Sequence, residues 1–228
     1  MKKTIFITGA TSGIGKATAE IFAKQGHRLI ICGRRKEVLD NLQIQLSNFT
    51  DVYSLVFDVR NQQEVQNAIN SLPEDWKNID VLVNNAGNAH GLEPISDANI
   101  SDWDAMMDGN VKGLLYVSQP IIKLMKANNS GHIVNISSVA ARQTYANGTV
   151  YCASKKAVDV ISEGMRLELT EFGIKVTNVQ PGAVETDFSK IRFKGDEERA
   201  ATVYAGYEPL IAEDIADAIS YCVNAPDR

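Results

Sequence analysis

A turn of small residues, Thr8-Gly9-Ala10-Thr11-Ser12-Gly13-Ile14-Gly15, follows a short β-branched run and opens a helical pattern. Backbone N–H groups at a helix N-terminus, backed by the positive end of the helix dipole, hold a pyrophosphate. Glycines there let the backbone turn tightly and approach a ligand closely. The spacing is Gly-x-x-x-Gly-x-Gly, not the commoner Gly-x-Gly-x-x-Gly. Its place between a first strand and a first helix is what points to a dinucleotide. An NAD-selective fold of this kind carries an acid about 20 residues past the turn, for the ribose 2′-hydroxyl. Here that place holds Gly33 followed by Arg34 and Arg35. Guanidinium forks suit a 2′-phosphate, so the sequence predicts NADP(H) over NAD(H). A plainer reading, two solvated loop charges ahead of a helix, stays open. Asp58-Val59 ends the third predicted strand, where an adenine would lie. Asp58 could accept from the adenine amino group or cap the helix that begins near Gln62.

Tyr151 and Lys155 stand four residues apart at the start of a helical pattern, so they share a face. A free tyrosine titrates at about pH 10 and is a poor base at neutrality. A lysine ammonium beside it, with an oxidised nicotinamide, favours the phenolate and lowers its pKa toward working pH. Such a phenol takes a proton from an alcohol, or gives one to a carbonyl, as hydride moves. Ser138 lies just past the fifth predicted strand, and its hydroxyl can hold the substrate oxygen. Tyr-x-x-x-Lys by itself also marks ordinary helix faces.

These residues need a frame that brings them together. Strands are predicted over 3–8, 27–32, 52–57, 80–84, 131–136 and 175–180. Helices are predicted over 13–25, 36–48, 62–71, 100–128, 150–172 and 213–224, with Gly109, Gly113 and Pro120 interrupting the fourth. This alternation predicts an α/β fold: a doubly wound parallel sheet with helices on both faces, built from right-handed βαβ units. No linker rich in Gly, Pro or Ser and no repeat divides the chain, so residues 1–228 read as one domain. The polar interval 185–209 has no strand pattern. An excursion that long in a compact domain is usually functional or mobile.

Composition narrows the class further. The 228 residues carry 23 Lys+Arg and 28 Asp+Glu, a net charge of −5, and 44% are hydrophobic. Those values exclude a disordered chain, and the acidity argues against a nucleic-acid partner. The apolar run after Lys3 is too short for a signal peptide, and no stretch approaches the length of a membrane span. A cytoplasmic protein with no membrane partner is expected. Cys32, Cys152 and Cys222 lack disulfide or metal spacing and read as small apolar residues. His27, His90 and His132 are scattered and read as structural or surface residues, so no metal site is predicted.

Taken in order, Thr8–Gly15, Asp58-Val59, Asn84-Asn85-Ala86-Gly87, Asn110, Ser137-Ser138, Tyr151-x-x-x-Lys155 and Pro181-Gly182 resemble the classical short-chain dehydrogenase/reductase family over essentially the whole chain. The resemblance implies a Rossmann-like sheet of six to seven strands with the cofactor across the strand C-termini. It implies a catalytic set of Asn110, Ser138, Tyr151 and Lys155. Ser138 would orient the substrate oxygen, Tyr151 would be the acid/base, and Lys155 would also bind the nicotinamide ribose. Asn110, at a helix kink, would fix a water linking Lys155 to solvent. Asn85, Ala86 and Gly87 would flank the adenosine ribose. Pro181, Gly182, Val184 and Thr186 would cover the nicotinamide. The chain ends at Arg228, where the family continues with a seventh strand and a tail, so either the sheet has six strands or the last strand is missing. The long helices at 100–128 and 150–172 pair across a two-fold axis in the family, which implies a homodimer or homotetramer. Ala157, Val158, Ile161, Met165, Leu167 and Leu169 offer apolar area on more than one side of the second.

A narrower resemblance joins residues 78–87 and 188–196 to the NADP-dependent 3-hydroxy acid dehydrogenases. It implies small carboxylate-bearing substrates such as serine, allo-threonine or 3-hydroxypropionate. Arg192 is the first candidate partner for that carboxylate, with Lys194 and Arg142 behind it; pairing with Asp196 or exposure to solvent is the alternative. Other readings are a broad-range carbonyl, steroid or 3-oxoacyl reductase, and a non-catalytic NADP(H)-sensing binding protein.

Overall fold

The computed structural model describes residues 2–204, 206 and 208–226. It runs β1 (Thr4–Ile7), α1 (Gly13–Lys24), β2 (Arg28–Gly33), α2 (Lys36–Leu46), β3 (Val52–Val56), α3 (Gln62–Asn70) and β4 (Val81–Asn84). Then follow α4 (Ile100–Met107), α5 (Gly113–Ala127), β5 (Gly131–Ile136), α6 (Thr149–Leu169) and β6 (Ile174–Val179). The chain closes with β7 (Val184–Glu185), α7 (Phe188–Arg192), α8 (Glu197–Thr202), β8 (Leu210–Ile211) and α9 (Ala212–Asn224).

The first six strands form one sheet in the order β3-β2-β1-β4-β5-β6, every pair parallel. The direction of winding reverses between β1 and β4. Their carboxyl ends part there, and a Rossmann-like sheet binds its ligand in that crevice. Among the described residues no seventh strand joins this sheet; β7 and β8 pair only with each other.

The strands are apolar on both sides because both faces are covered. Ile5 and Ile7 of β1, with Leu29 and Ile31 of β2, pack against Phe22 of α1, Leu39 of α2 and Ile219 of α9. Phe6 and Ile30 point the other way, toward Val65 of α3, Ile121 of α5 and Val158 of α6. Burial on both faces thus follows from the period-2 alternation of an all-apolar run.

Three expectations change. The predicted helix at 100–128 is two helices joined by a single π turn, Asp108–Lys112, which buries Gly109 and Asn110. Pro120 lies inside α5 without ending it. Asp58 does not cap α3; Asn61 does, its side-chain oxygen accepting from the N–H groups of Gln63 and Glu64 at 3.1 and 3.2 Å. The interval 185–209 holds two short helices, with Ala205 and Tyr207 outside the described residues. On α6, Val158, Met165 and Leu169 face the core, while Val160 and Leu167 are exposed. Among the described residues no helix is long and apolar enough to cross a membrane.

Candidate active site

A cleft of about 470 Å³ runs along the carboxyl ends of the strands, from Arg34 and Arg35 past the glycine turn to Tyr151 and Lys155. Every residue expected at the cofactor lines it except Gly15, which is buried behind Asn85 and Gly9. Gly9 and Gly13 have φ of 64° and 50°, the left-handed region that the turn requires and glycine allows. The turn is tied to the end of β4. Thr8 Oγ1 accepts from the N–H groups of Asn85 and Ala86 at 3.0 and 2.9 Å, and Asn85 Nδ2 donates to the Thr8 and Gly9 carbonyls at 2.9 and 3.1 Å. The Asn85 side chain is therefore spent on the turn. Ser12 makes no side-chain capping bond, and the first turn of α1 has no acidic residue. Its leading N–H groups face an anion without competition, so the residues present fit a dinucleotide pyrophosphate.

At the far end of the cleft, Arg35 Nη2 donates to Thr11 Oγ1 at 3.0 Å. Arg34 is largely exposed, 3.7 Å from Asp58. Asp58 itself is gripped by Arg60, whose Nε donates to both carboxylate oxygens and whose Nη2 reaches Oδ2 at 2.6 Å. Burial alone would raise the Asp58 pKa. The Arg60 bonds and the Arg34 charge outweigh it and hold the carboxyl below its usual range. Sequence reasoning passed over Arg60, whose only signal was its place two residues after Asp58.

The expected catalytic residues converge at the other end. Tyr151 and Lys155 project from the first two turns of α6. Ser138 ends the extended segment after β5 and caps a short helical turn, accepting from Ala140 N–H at 3.1 Å. Its hydroxyl lies near enough to Tyr151 to favour the phenolate. Lys155 Nζ donates to the Ile136 carbonyl at 3.0 Å and lies 6.0 Å from the Tyr151 ring centre. Ser137 Oγ donates to the Lys155 carbonyl at 2.9 Å, which fastens α6 to β5. Asn110 sits in the π turn. Its Nδ2 donates to the Asn88 carbonyl at 2.8 Å and to Ser154 Oγ at 3.0 Å, and its Oδ1 accepts from Asn88 N–H at 2.7 Å. Asn88 and Ser154 thereby join the set that sequence reasoning named.

The lowering expected of the Tyr151 phenol includes the charge of an oxidised nicotinamide. Among the chain's own groups, burial dominates and pushes Tyr151 up to about 12, against a smaller lowering by the Ser138 hydroxyl and the Arg192 charge. Burial also pulls Lys155 down to about 8. Both groups are therefore held nearer their neutral forms.

Beyond Tyr151 lies a side pocket of about 20 Å³ lined by Tyr151, Arg192, His90, Trp103, Met106 and Gly148, among others. His90, expected to be structural, is part of this wall, and burial lowers its pKa. Arg192 comes from α7 in the polar interval. Its guanidinium stands 5.6 Å from the Tyr151 ring centre. It donates through Nε to the Gly91 carbonyl and through Nη1 to Tyr145 Oη, both at 3.0 Å. It pairs with no carboxylate among the described residues, Asp196 included. Lys194 pairs with Asp102 at 3.0 Å and Arg142 with Asp159 at 3.7 Å, so both weaker candidates are already engaged.

A family model described as short chain dehydrogenase matches residues 3–197. The chain belongs to the short chain dehydrogenase family. It is an oxidoreductase of that family. It is 42% identical over 223 residues to the NADP-dependent 3-hydroxy acid dehydrogenase YdfG of Salmonella typhi, covering 97% of this chain and 89% of that one. It is 40% identical over 227 residues to sulfoacetaldehyde reductase 2 of Chromohalobacter salexigens, covering 99% and 90%. The closed form of a serine dehydrogenase complexed with NADP+ superposes with a TM-score of 0.94 at 40% identity, covering 98% of this chain and 90% of that one.

Proposed function

We propose that this chain, acting as one dinucleotide-binding domain, interconverts a small 3-hydroxy acid and its carbonyl form with NADP(H). Bound NADP(H) supplies or accepts the hydride at the substrate's carbinol carbon. The glycine turn and the N-terminus of α1 would hold the pyrophosphate, Arg34 and Arg35 the 2′-phosphate, and Asp58 and Val59 the adenine side. Ala86 and Gly87 would flank the adenosine ribose, and Pro181 through Thr186 would cover the nicotinamide.

Ser138 holds the substrate oxygen beside Tyr151. In the reductive direction Tyr151 gives the proton from its Oη to that oxygen; in the oxidative direction it receives it. Burial keeps the phenol protonated, so the reductive step starts from the ready form. Lys155 orients the nicotinamide ribose and relays the replacement proton, with Asn110 placing the water that connects it to solvent.

The observation that carries the substrate class is Arg192. It is a cation beside the proposed acid/base, on the wall of the side pocket, and it pairs with no carboxylate among the described residues. A guanidinium fork fits a carboxylate. A sulfonate is a second candidate anion, since a relative is named sulfoacetaldehyde reductase 2. A broad-range carbonyl reductase would have no use for that charge, and a non-catalytic NADP(H) sensor would have no use for the Ser–Tyr–Lys set. The exposed Val160 and Leu167 on α6 support assembly as a homodimer or homotetramer, and we place the protein in the cytoplasm. The test is a substrate panel followed at the reduced-nicotinamide absorbance band. Turnover of neutral ketones at rates equal to 3-hydroxypropionate would remove the hydroxy acid reading.

A further inference from the structure

Arg192 differs from the other cations of its neighbourhood in what holds it. Lys194, Arg199 and Arg142 are held by the carboxylates of Asp102, Glu93 and Asp159. Arg192 is held by two neutral oxygens, the Gly91 carbonyl and the Tyr145 hydroxyl. A carboxylate in either place would orient the guanidinium and also cancel its charge. A carbonyl and a phenol orient it and leave the charge available.

We propose that Tyr145 is the positioning residue of the anion subsite, fixing the Arg192 guanidinium beside Tyr151 without neutralising it. The proposal rests on the reading of Arg192 as the partner of the substrate's acid group. Three further observations support it. The guanidinium lies 5.5 Å from the Tyr145 ring centre and 5.6 Å from that of Tyr151, within reach of both rings. The Tyr145 ring has a seat made for it: a Cβ at Gly148 would overlap the ring, although Gly148 has an ordinary negative φ. Glycine at the start of α6 thus leaves room for the Tyr145 ring in this position. Burial raises the Tyr145 phenol even though Arg192 opposes the rise, so the oxygen stays neutral at working pH. With Nε and one Nη1 hydrogen spent on these two acceptors, three of the five guanidinium hydrogens remain for a ligand.

The test uses the whole chain with NADP and 3-hydroxypropionate. Tyr145→Phe removes one acceptor and keeps the ring in its seat. The expected result is a KM for the acid raised about tenfold, the size of one hydrogen bond to a charged group. The kcat should stay within about twofold, with NADP affinity and melting temperature unchanged. In an Arg192→Gln background the same change should have no further effect. Tyr145→Gln and Tyr145→Glu are nearly isosteric, so a packing role would treat them alike; a positioning role predicts a much higher KM for the glutamate. Equal KM values for the wild type and Tyr145→Phe, or for the glutamine and glutamate variants, would overturn the proposal. If the wild type shows no preference for the acid over its methyl ester, the reading of Arg192 fails first and the proposal falls with it.

Discussion

The cofactor end of the cleft and its substrate end are assembled in contrasting ways. The glycine turn is fastened to β4 by partly buried hydrogen bonds among Thr8, Gly9, Asn85 and Ala86, on strands whose side chains are fully buried. The substrate end is made where the segment carrying α7 and α8 meets the loop after β4. Its fastenings are two ion pairs near the surface, Lys194 with Asp102 and Arg199 with Glu93, and a two-way link of Arg192 with the Gly91 backbone. The cofactor end is therefore tied into the core, whereas the other end is closed largely by surface charges. Loops hung on a rigid scaffold are where variation concentrates.

Perturbing each end separately sharpens this contrast. The largest effect is expected at the junction of the two: Tyr151→Phe should lower turnover about a thousandfold, the size of a lost acid/base, with NADP titrations unchanged. Next is Lys155→Met. The folded pKa of Lys155, about 8, lies below its ordinary 10.5, so the unfolded chain binds the proton more tightly. The burial cost is thus fully present below pH 8 and fades as pH rises toward 10.5. Unfolding curves should show the inactive methionine variant more stable than wild type at pH 7, by up to about 3 kcal/mol. That gap should shrink toward pH 10. A wild type that is the more stable of the two at pH 7 would contradict the burial cost.

Arg192→Gln should raise the KM for 3-hydroxypropionate about thirtyfold and leave NADP binding alone. Arg60→Gln should do the reverse. With Asp58 no longer gripped, its charge would oppose a 2′-phosphate, and the preference for NADP over NAD should fall about tenfold in fluorescence titrations. The smallest effect is expected at Arg199→Ala, an exposed pair at 3.4 Å from Glu93. Initial rates should change by no more than about twofold, and less in high salt. A collapse of NADP affinity in this last variant would break the separation of the two ends.

The same contrast explains what could be read from the sequence. Short β-branched runs such as 81–84 and 131–136 are buried along their whole length, and that local pattern placed all six strands within a residue or two. The glycine turn, Ser138, Tyr151 and Lys155 sit at strand ends and helix starts, so their convergence followed from the fold. The π turn at Asn110 was not legible as such: it arises from bonds to Asn88 and Ser154, 22 and 44 residues away. The grip of Arg60 on Asp58 was missed because an acid after a strand reads equally well as a cap, and Asn61 took that role. Tyr145 carried no periodic signal, and its meaning depends on a guanidinium 47 residues later in the chain. The direction of the Tyr151 shift could not be read from spacing, because burial is a property of the packed site.

Arg192 is proposed to serve the substrate of an NADP-dependent reaction in this cleft. Initial rates of absorbance change at the reduced-nicotinamide band test it directly, with NADP and then NAD, against serine, allo-threonine, 3-hydroxypropionate, its methyl ester and a neutral alcohol. Reduction of NADP in preference to NAD, confined to the free acids, is the expected result. Equal rates with the ester and the neutral alcohol, or a preference for NAD, would contradict it.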